Sequence, residues 1–339
     1  MSARECIIPV FVPHLGCPHA CVFCNQNSIS GAAGPASAEM IRRALSAAAS
    51  VPHPAAKRQL AFYGGSFTAI PAQQQIQLLS EAAEALSRGE IDAIRLSTRP
   101  DAIDPSVLER LRQYGVKTIE IGAQSMDDSV LARCERGHTA ADTRRASLAV
   151  KEAGFRLILQ MMTGLPGSDD EKDLKTARLL ADLRPDGVRI YPTVILRGTQ
   201  LYEQWREGIY REHTVEDAVR ICAKILPIFE TANIPVIRLG LNPSRELSDG
   251  EAAGGAYHPA LGELVRSRVM LLRAETLLNG MPPCSRVTLG TSPETLSQLI
   301  GRHQENLNTL RAMFSLDELK VKSCQVPPGE IRILSVEQG

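Results

Sequence analysis

The sequence predicts an α/β protein: an open parallel barrel of six or seven βα units, followed by a small α/β appendage. Three observations predict it. Short apolar runs rich in β-branched residues alternate with segments of helical periodicity. That alternation needs crossover connections, hence a parallel sheet covered by helices, and the number of units fits an open barrel better than a flat sheet. Near Gly240 the pattern breaks, and a Gly-, Ser- and Pro-rich stretch begins. The division expected is a barrel over residues 1–240 and a small domain over 241–339. In such barrels the chemistry sits at the C-terminal ends of the strands, so functional motifs should follow the apolar runs.

Taken in order, residues 6–12 read as a strand and 37–49 as a helix with Ser37 as a possible cap. A strand at 59–63 precedes a helix over 71–87 that opens on Pro71, where proline is tolerated. The strand at 93–97 is followed by a helix capped by Asp104 with Pro105 just inside it. Strands at 117–121, 155–160, 187–191 and 234–238 alternate with helices over 139–152, 169–183 and 214–232. Gly154 supplies a C-terminal stop. Residues 242–258 read as a long ordered loop, and 262–278 as a helix. A strand at 286–289, one helix over 293–314 and one or two strands near 319–334 complete the appendage.

Lys and Arg together number 38, as do Asp and Glu, so the formal net charge is zero. This excludes holding nucleic acid or membrane by bulk charge, although a local arginine surface remains open. No run approaches the roughly 18 apolar residues of a membrane span, and the N-terminal residues lack the basic and small-residue regions of a secretion signal. A reducing cytosolic setting is expected. Clustered cysteines there bind metal or do redox chemistry more often than they form disulfides.

Three of the eight cysteines cluster in His14-Leu-Gly-Cys17-Pro-His-Ala-Cys21-Val-Phe-Cys24, a C-x3-C-x2-C spacing directly after the first strand. A loop this tight can turn three thiolates toward one inorganic centre. A 4Fe-4S cubane takes one thiolate per iron, so three would leave one iron open. A structural zinc site completed by His14 or His19 is the rival reading, with a disulfide pair or an electron-transfer cluster behind it. Cys6, Cys134, Cys222, Cys284 and Cys324 stand singly and read as small packing residues.

The cysteine spacing, with Phe23 before the last Cys, resembles the signature of the radical SAM enzymes, whose core is a partial (β/α)6 barrel. The resemblance implies that Cys17, Cys21 and Cys24 hold a 4Fe-4S cluster and that S-adenosylmethionine chelates the open iron. Reductive cleavage would yield a 5′-deoxyadenosyl radical that abstracts hydrogen. A reducing electron donor of the flavodoxin or ferredoxin type is implied as well.

Further motifs follow the strands. Tyr63-Gly-Gly-Ser66 is similar to the family's segment for the methionine amino group, which assigns Gly64, Gly65 and Ser66. In Ser97-Thr-Arg-Pro-Asp101, Ser97 is the candidate for the polar side of the cofactor, while Arg99 and Asp101 could simply pair. Gln124 and Arg136 stand at the spacing found in oxygen-independent coproporphyrinogen oxidases and the elongator-complex catalytic subunit. There, such residues contact the cofactor, and a guanidinium suits the methionine carboxylate. Gln160 matches a ribose-binding position. The glycines of Gly164-Leu-Pro-Gly167 could face adenine or merely shape a turn.

The segments around Tyr191, Arg197, Arg238 and His258 look like the elongator catalytic subunit in particular, and these four are the substrate-side candidates. The resemblance runs over about residues 7–280. The expected substrate is therefore tRNA or another RNA, supported by Arg266, Arg268 and Arg273. A small molecule such as a tetrapyrrole precursor, and a non-enzymatic zinc protein, are the alternatives. With about sixty residues after Gly280, no room is expected for the acetyltransferase domain of the elongator subunit.

Overall fold

The structure, a computed structural model, describes residues 5–12, 21–24, 36–50, 57–242, 250–279 and 286–337. The barrel elements, in chain order, are β1 (Glu5–Val12), α1 (Ala38–Ala49), β2 (Lys57–Gly64), α2 (Ala72–Ser87), β3 (Ala93–Thr98), α3 (Pro105–Gln113), β4 (Val116–Gln124), α4 (Asp128–Arg133), α5 (Ala140–Glu152), β5 (Arg156–Thr163), α6 (Asp170–Asp182), β6 (Gly187–Pro192), β7 (Val194–Leu196), α7 (Gln200–Arg206), α8 (Val215–Thr231), β8 (Val236–Leu239) and β9 (Ala252–Gly255). Strands β1, β2, β3, β4, β5, β6 and β8 form one sheet in that order, every pair parallel. The sheet curves into the half-barrel that the sequence predicts. β7 leaves it to pair antiparallel with β9 inside the stretch expected to be loop.

The strand alternation assigns the two faces. Val10, Phe62, Leu96, Ile121, Leu159 and Ile190 point outward into a core shared with the helices. The intervening residues, among them Tyr63, Arg95, Glu120, Gln160 and Arg189, line the concave face. The helices begin where short polar side chains can satisfy their free amides. Thr139 with Asp142, and Thr214 with Asp217, close reciprocal capping boxes on α5 and α8. Asp104 accepts the Val107 amide at 2.9 Å. Ser37 occupies the cap position of α1 but makes no capping hydrogen bond, and Pro71 precedes α2 instead of opening it. Two short helices, α4 and α7, escaped the periodicity because each gives fewer than two full turns.

The C-terminal part comprises α9 (Leu261–Leu278), β10 (Arg286–Thr291), α10 (Leu296–Ile300), α11 (Glu305–Met313), β11 (Glu318–Ser323) and β12 (Ile331–Glu337). β10 is central, parallel to β11 and antiparallel to β12. Helix α9 belongs to both halves. Leu261, Val265 and Val269 lie in the barrel core, whereas Met270, Leu271, Ala274 and Leu278 help build a second core with Val287, Leu289, Leu299 and Leu310. A boundary at residue 240 thus falls ahead of a helix that packs on both sides.

The single helix expected over 293–314 is two. Gly301 lies at φ +78, and a Cβ there would sit 2.8 Å from the Asn306 amide nitrogen. His303 and Gln304 are left-handed, at φ 50 and 62. The buried Asn306 side chain donates to Ser267 O and Gln298 O, pinning α11 to α9 and α10. The apolar spacing carries on across the break, so periodicity alone does not reveal it. Among the described residues no helix is long and apolar enough to cross a membrane.

Because Leu271 is buried in the second core, Leu271→Ala is expected to destabilise the C-terminal unit by about 2–5 kcal/mol, read by chemical denaturation.

Candidate active site at the barrel mouth

Cys17, His14 and His19 lie outside the described residues. Cys21 and Cys24 are described, and the Cys24 amide donates to the Cys21 carbonyl at 2.9 Å, which makes a tight turn. The turn is held at both sides: the Val22 amide donates to Cys134 O at 3.2 Å, and the Leu201 amide to Val22 O at 2.7 Å. Phe23 packs against two apolar clusters, one of Val22, Val130, Cys134 and Leu165, the other of Ile195, Leu201 and Tyr210. Its role is to seat the cysteine turn on α4 and α7.

Arg136 connects that turn to the sheet. One terminal nitrogen lies 3.3 Å from Cys21 Sγ, and the other donates to Gly122 O at 2.8 Å. Its Nε is buried without a partner among the described residues. A Cβ on Gly122 would meet Gln124 Nε2 at 2.8 Å and Arg136 at 2.9 Å, so a side chain there would displace both from their present positions. Gln124, left-handed at φ 63, accepts from Gln160 Nε2 at 3.1 Å. Gln124, Arg136, Gln160 and Cys21 are therefore brought together. His138 beside them is buried, and burial and the Arg136 charge hold its pKa down at about 4, so the ring is neutral near pH 7.

The other predicted cofactor residues have more structural work. Gly64 lies at φ +100, and a Cβ there would sit 2.8 Å from Val12 O; the Gly65 amide donates to that same carbonyl at 2.9 Å. The glycine pair thus lets β1 and β2 approach. Ser66 points into the protein, where its hydroxyl lies 2.9 Å from Thr98 Oγ1 and accepts the Arg99 amide at 3.1 Å. What this segment presents at the mouth is backbone. Ser97 lies half-buried on the concave face, in register with Glu120. Arg99 is buried and forked onto Asp101, with both contacts 3.0 Å, and it donates to the Arg136 carbonyl at 2.5 Å. The pairing is structural, and it fixes the backbone of Arg136.

The turn after β5 packs tightly. A Cβ on Gly164 would overlap the His213 ring at 2.1 Å, and one on Gly167 would meet Arg133 Cδ at 2.5 Å. Beside it is a cavity of about 710 Å³ whose lining includes Arg133, Asp173, Tyr210 and His213. Asp173 accepts from Ser168 Oγ at 2.5 Å and the Gly164 amide at 2.9 Å, yet burial raises its pKa to about 6.

Sequence reasoning missed the ion cluster on the concave face. Glu120 pairs with Arg95 at 2.6 Å and Arg189 at 2.8 Å. Tyr63 donates to Glu120 at 2.8 Å and accepts from Arg189 at 2.9 Å. Burial and the Glu120 charge raise the Tyr63 pKa, so its phenol stays protonated. The signal was present: β3, β4, β6 and β8 each place a charged residue, Arg95, Glu120, Arg189 or Arg238, between β-branched or leucine neighbours, which marks a polar lumen once the sheet is known to curve.

Of the four substrate-side candidates, two face the lumen. Tyr191 accepts from Arg189 at 3.1 Å, and Arg238 stands opposite Arg189 in register, its Nε donating to Gly240 O at 3.0 Å. The other two do local structural work. Exposed Arg197 donates to Gly250 O at 2.9 Å and Tyr202 at 3.3 Å. His258 Nδ1 accepts the Ala260 amide at 3.1 Å, ordering the start of α9. On α9, Arg266 pairs with Glu263 and Arg273 with Glu230. Among the scattered cysteines, Cys134 and Cys222 are buried, and burial is the main cause that pushes both thiols up to about 12. Cys6 and Cys324 are half-buried, and Cys284 lies outside the described residues.

Comparison with known proteins gives the family and the fold. Residues 11–180 match the Radical SAM superfamily, and residues 185–270 match the Radical_SAM C-terminal domain. The chain is 30% identical to the tRNA uridine(34) acetyltransferase of Methanocaldococcus jannaschii over 191 residues, half of this chain and 35% of that protein. It is 28% identical to human Elongator complex protein 3 over 237 residues, 64% of this chain and 42% of that one. The chain thus spans well under half the length of these curated relatives. The structure superimposes on an N-terminally truncated Elp3 of Methanocaldococcus infernus with a TM-score of 0.62 at 22% identity, covering 85% of this chain and 67% of that one.

Two measurements test the site's electrostatics. Glu120→Gln removes the carboxylate that Arg95 and Arg189 share, leaving Arg95 only its longer pair with Glu5 at 3.5 Å, and is expected to cost about 3–5 kcal/mol of stability by denaturant unfolding. The Asp173 carboxyl holds a proton in the folded state that it loses when unfolded, between its ordinary pKa near 4 and the folded value of about 6. Stability falls as pH rises through that window. Relative to Asp173→Asn, the unmutated protein should lose up to about 3 kcal/mol between pH 4 and 7, as unfolding at both pH values would show.

Proposed function

From the premise that this chain belongs to the radical SAM superfamily, which matches half of it, we propose that it modifies tRNA by a radical reaction started at the barrel mouth. The family implies a 4Fe-4S cluster and S-adenosylmethionine; bound together, they supply reductive cleavage of the sulfonium to a carbon radical that takes a hydrogen atom from substrate. The residues fit these groups. Cys21 and Cys24 sit on one anchored turn, and Cys17 precedes them at the family spacing. Arg136 keeps an unspent, buried Nε–H for a carboxylate beside Cys21. Gln124 and Gln160 offer amide groups for hydroxyls on the same side, while Gly64, Gly65 and Ser66 offer backbone and Ser97 a hydroxyl. A low-potential protein donor of the flavodoxin or ferredoxin class fits as the source of electrons.

The observation that carries the tRNA reading is the similarity to proteins named for tRNA uridine modification, at 30% identity over half the chain. The concave face is consistent with it. Enzymes that act on a base take it out of its stack and read it with planar and hydrogen-bonding side chains. Tyr191, Arg238, Arg189 and Tyr63 are side chains of that kind, and they line the lumen above the sheet. The reading concerns the radical step; acetyl transfer, which those relatives' names also describe, is no part of it.

The test is anaerobic reconstitution with iron and sulfide, then incubation with S-adenosylmethionine and dithionite, with and without bulk tRNA. The expected result is 5′-deoxyadenosine that rises several-fold with tRNA and is absent from Cys24→Ala. Nucleoside formation indifferent to tRNA would remove the substrate and leave the radical step. No nucleoside above the Cys24→Ala background would remove both.

A further inference from the structure

We propose that the C-terminal unit is a second RNA site, which grips a single strand by its phosphates at the turn of residues 301–304. Nothing in the barrel's chemistry requires this unit, and the matched family segments end at residue 270. The proposal draws on the tRNA reading only for the kind of RNA bound.

The first support is topology. β10, α10, α11 and β11 run in succession, with β10 and β11 as parallel neighbours. Leu299 of α10 and Leu310 of α11 share one core with Val287, Leu289 and Leu319 of these strands. A β-α-α-β unit with a short, glycine-started turn between its helices is the framework of KH-type modules, whose turn clamps the backbone of about four nucleotides.

The second support is the turn itself. Such turns carry glycine at both ends. Gly301 is irreplaceable here, because a Cβ would sit 2.8 Å from the Asn306 nitrogen. Gln304 holds the left-handed conformation at φ 62 that a second glycine would adopt freely. Ile300, Leu307 and Leu310 flank the turn on its buried side.

The third support is charge. Arg302 and His303 occupy the two middle positions, both exposed and neither ion-paired among the described residues. No side chain caps the start of α11, and Arg302 stands just before it in the chain, so free amides and a guanidinium, both suited to a phosphate, come from one short segment. Glu305, at the first position of α11, is the side chain that opposes an anion. β11 is one of the two edge strands of its sheet. It offers unpaired backbone groups beside the helices for base edges, and Lys322 is exposed along it. Because α9 is shared between both cores, RNA gripped here is held at a set distance from the barrel.

The experiment is fluorescence anisotropy of a labelled single-stranded RNA of about twelve nucleotides, at fixed moderate salt. The protein is compared with Arg302→Asp/His303→Asp and with a control of the same formal charge change on α1 and α3, Arg43→Asp/Arg112→Gln. All four residues are exposed, and thermal melting confirms that both doubles fold. The turn variant should bind at least about tenfold more weakly, the control within about twofold of the unmutated protein, and a duplex of the same sequence more weakly than the single strand. Equal affinity of the turn variant, equal affinity for duplex, or no binding by the unmutated protein would each overturn the proposal. The tRNA-dependent nucleoside assay separates the two readings. tRNA stimulation and RNA affinity unaffected by the turn substitutions would leave the tRNA reading and remove this site. Oligonucleotide binding that the turn substitutions abolish, without any tRNA stimulation, would do the reverse.

Discussion

Arg136 is the residue through which the cysteine turn and the barrel are joined. Its guanidinium spans Cys21 Sγ and the Gly122 carbonyl, while its own carbonyl is held by Arg99, itself forked onto Asp101. A buried arginine is tolerable only where its charge and donors are met. The surroundings answer it in part: Cys21 Sγ and the Gly122 carbonyl meet the two terminal nitrogens and His138 stays neutral, while Nε is left without a partner among the described residues. A cysteine turn next to a fixed cation would also be electrostatically suited to an anionic iron–sulfur centre. Shape and charge at the mouth therefore depend on one side chain contributed by the loop after α4.

The concave face follows the same logic on a larger scale. A parallel sheet buried on both sides is normally apolar throughout, whereas here the lumen carries Arg95, Glu120, Arg189 and Tyr63 in mutual contact. Such a cluster contributes little net stability compared with a packed apolar layer, but removing one member is expensive. It is best understood as a rigid polar floor beneath the space where substrate enters. Tyr191 and Arg238 lie beside it, where, under the proposed function, they would meet a polar, planar substrate.

Much of this was legible in the sequence, and the exceptions have physical causes. Strand order and most helices follow from local alternation and from caps such as Asp104, Thr139 and Thr214, because those signals act within a few residues. Cys21, Gln124, Arg136 and Gln160 could be singled out because each lies in the C-terminal half of a strand or in the loop that follows a strand or a short helix. Side-chain direction was not legible. Ser66 turns inward, and Arg197 and His258 serve loops beside them, although all three stand at plausible strand ends. Nor was the break in the helix over 293–314, since leucines keep their spacing through Gly301 and only the backbone of His303 and Gln304 shows that the chain turns. That turn changes the appendage from a packed cap into a candidate RNA-binding unit.

The most direct measurement is the affinity of the iron-loaded protein for S-adenosylmethionine, with and without Arg136→Met, at matched iron content. If Arg136 receives the methionine carboxylate at the mouth, the substitution should retain iron and weaken binding by at least about tenfold, in line with a lost charge-assisted hydrogen bond. Unchanged affinity at full iron content would contradict the placement of the cofactor beside Cys21 and Gly122.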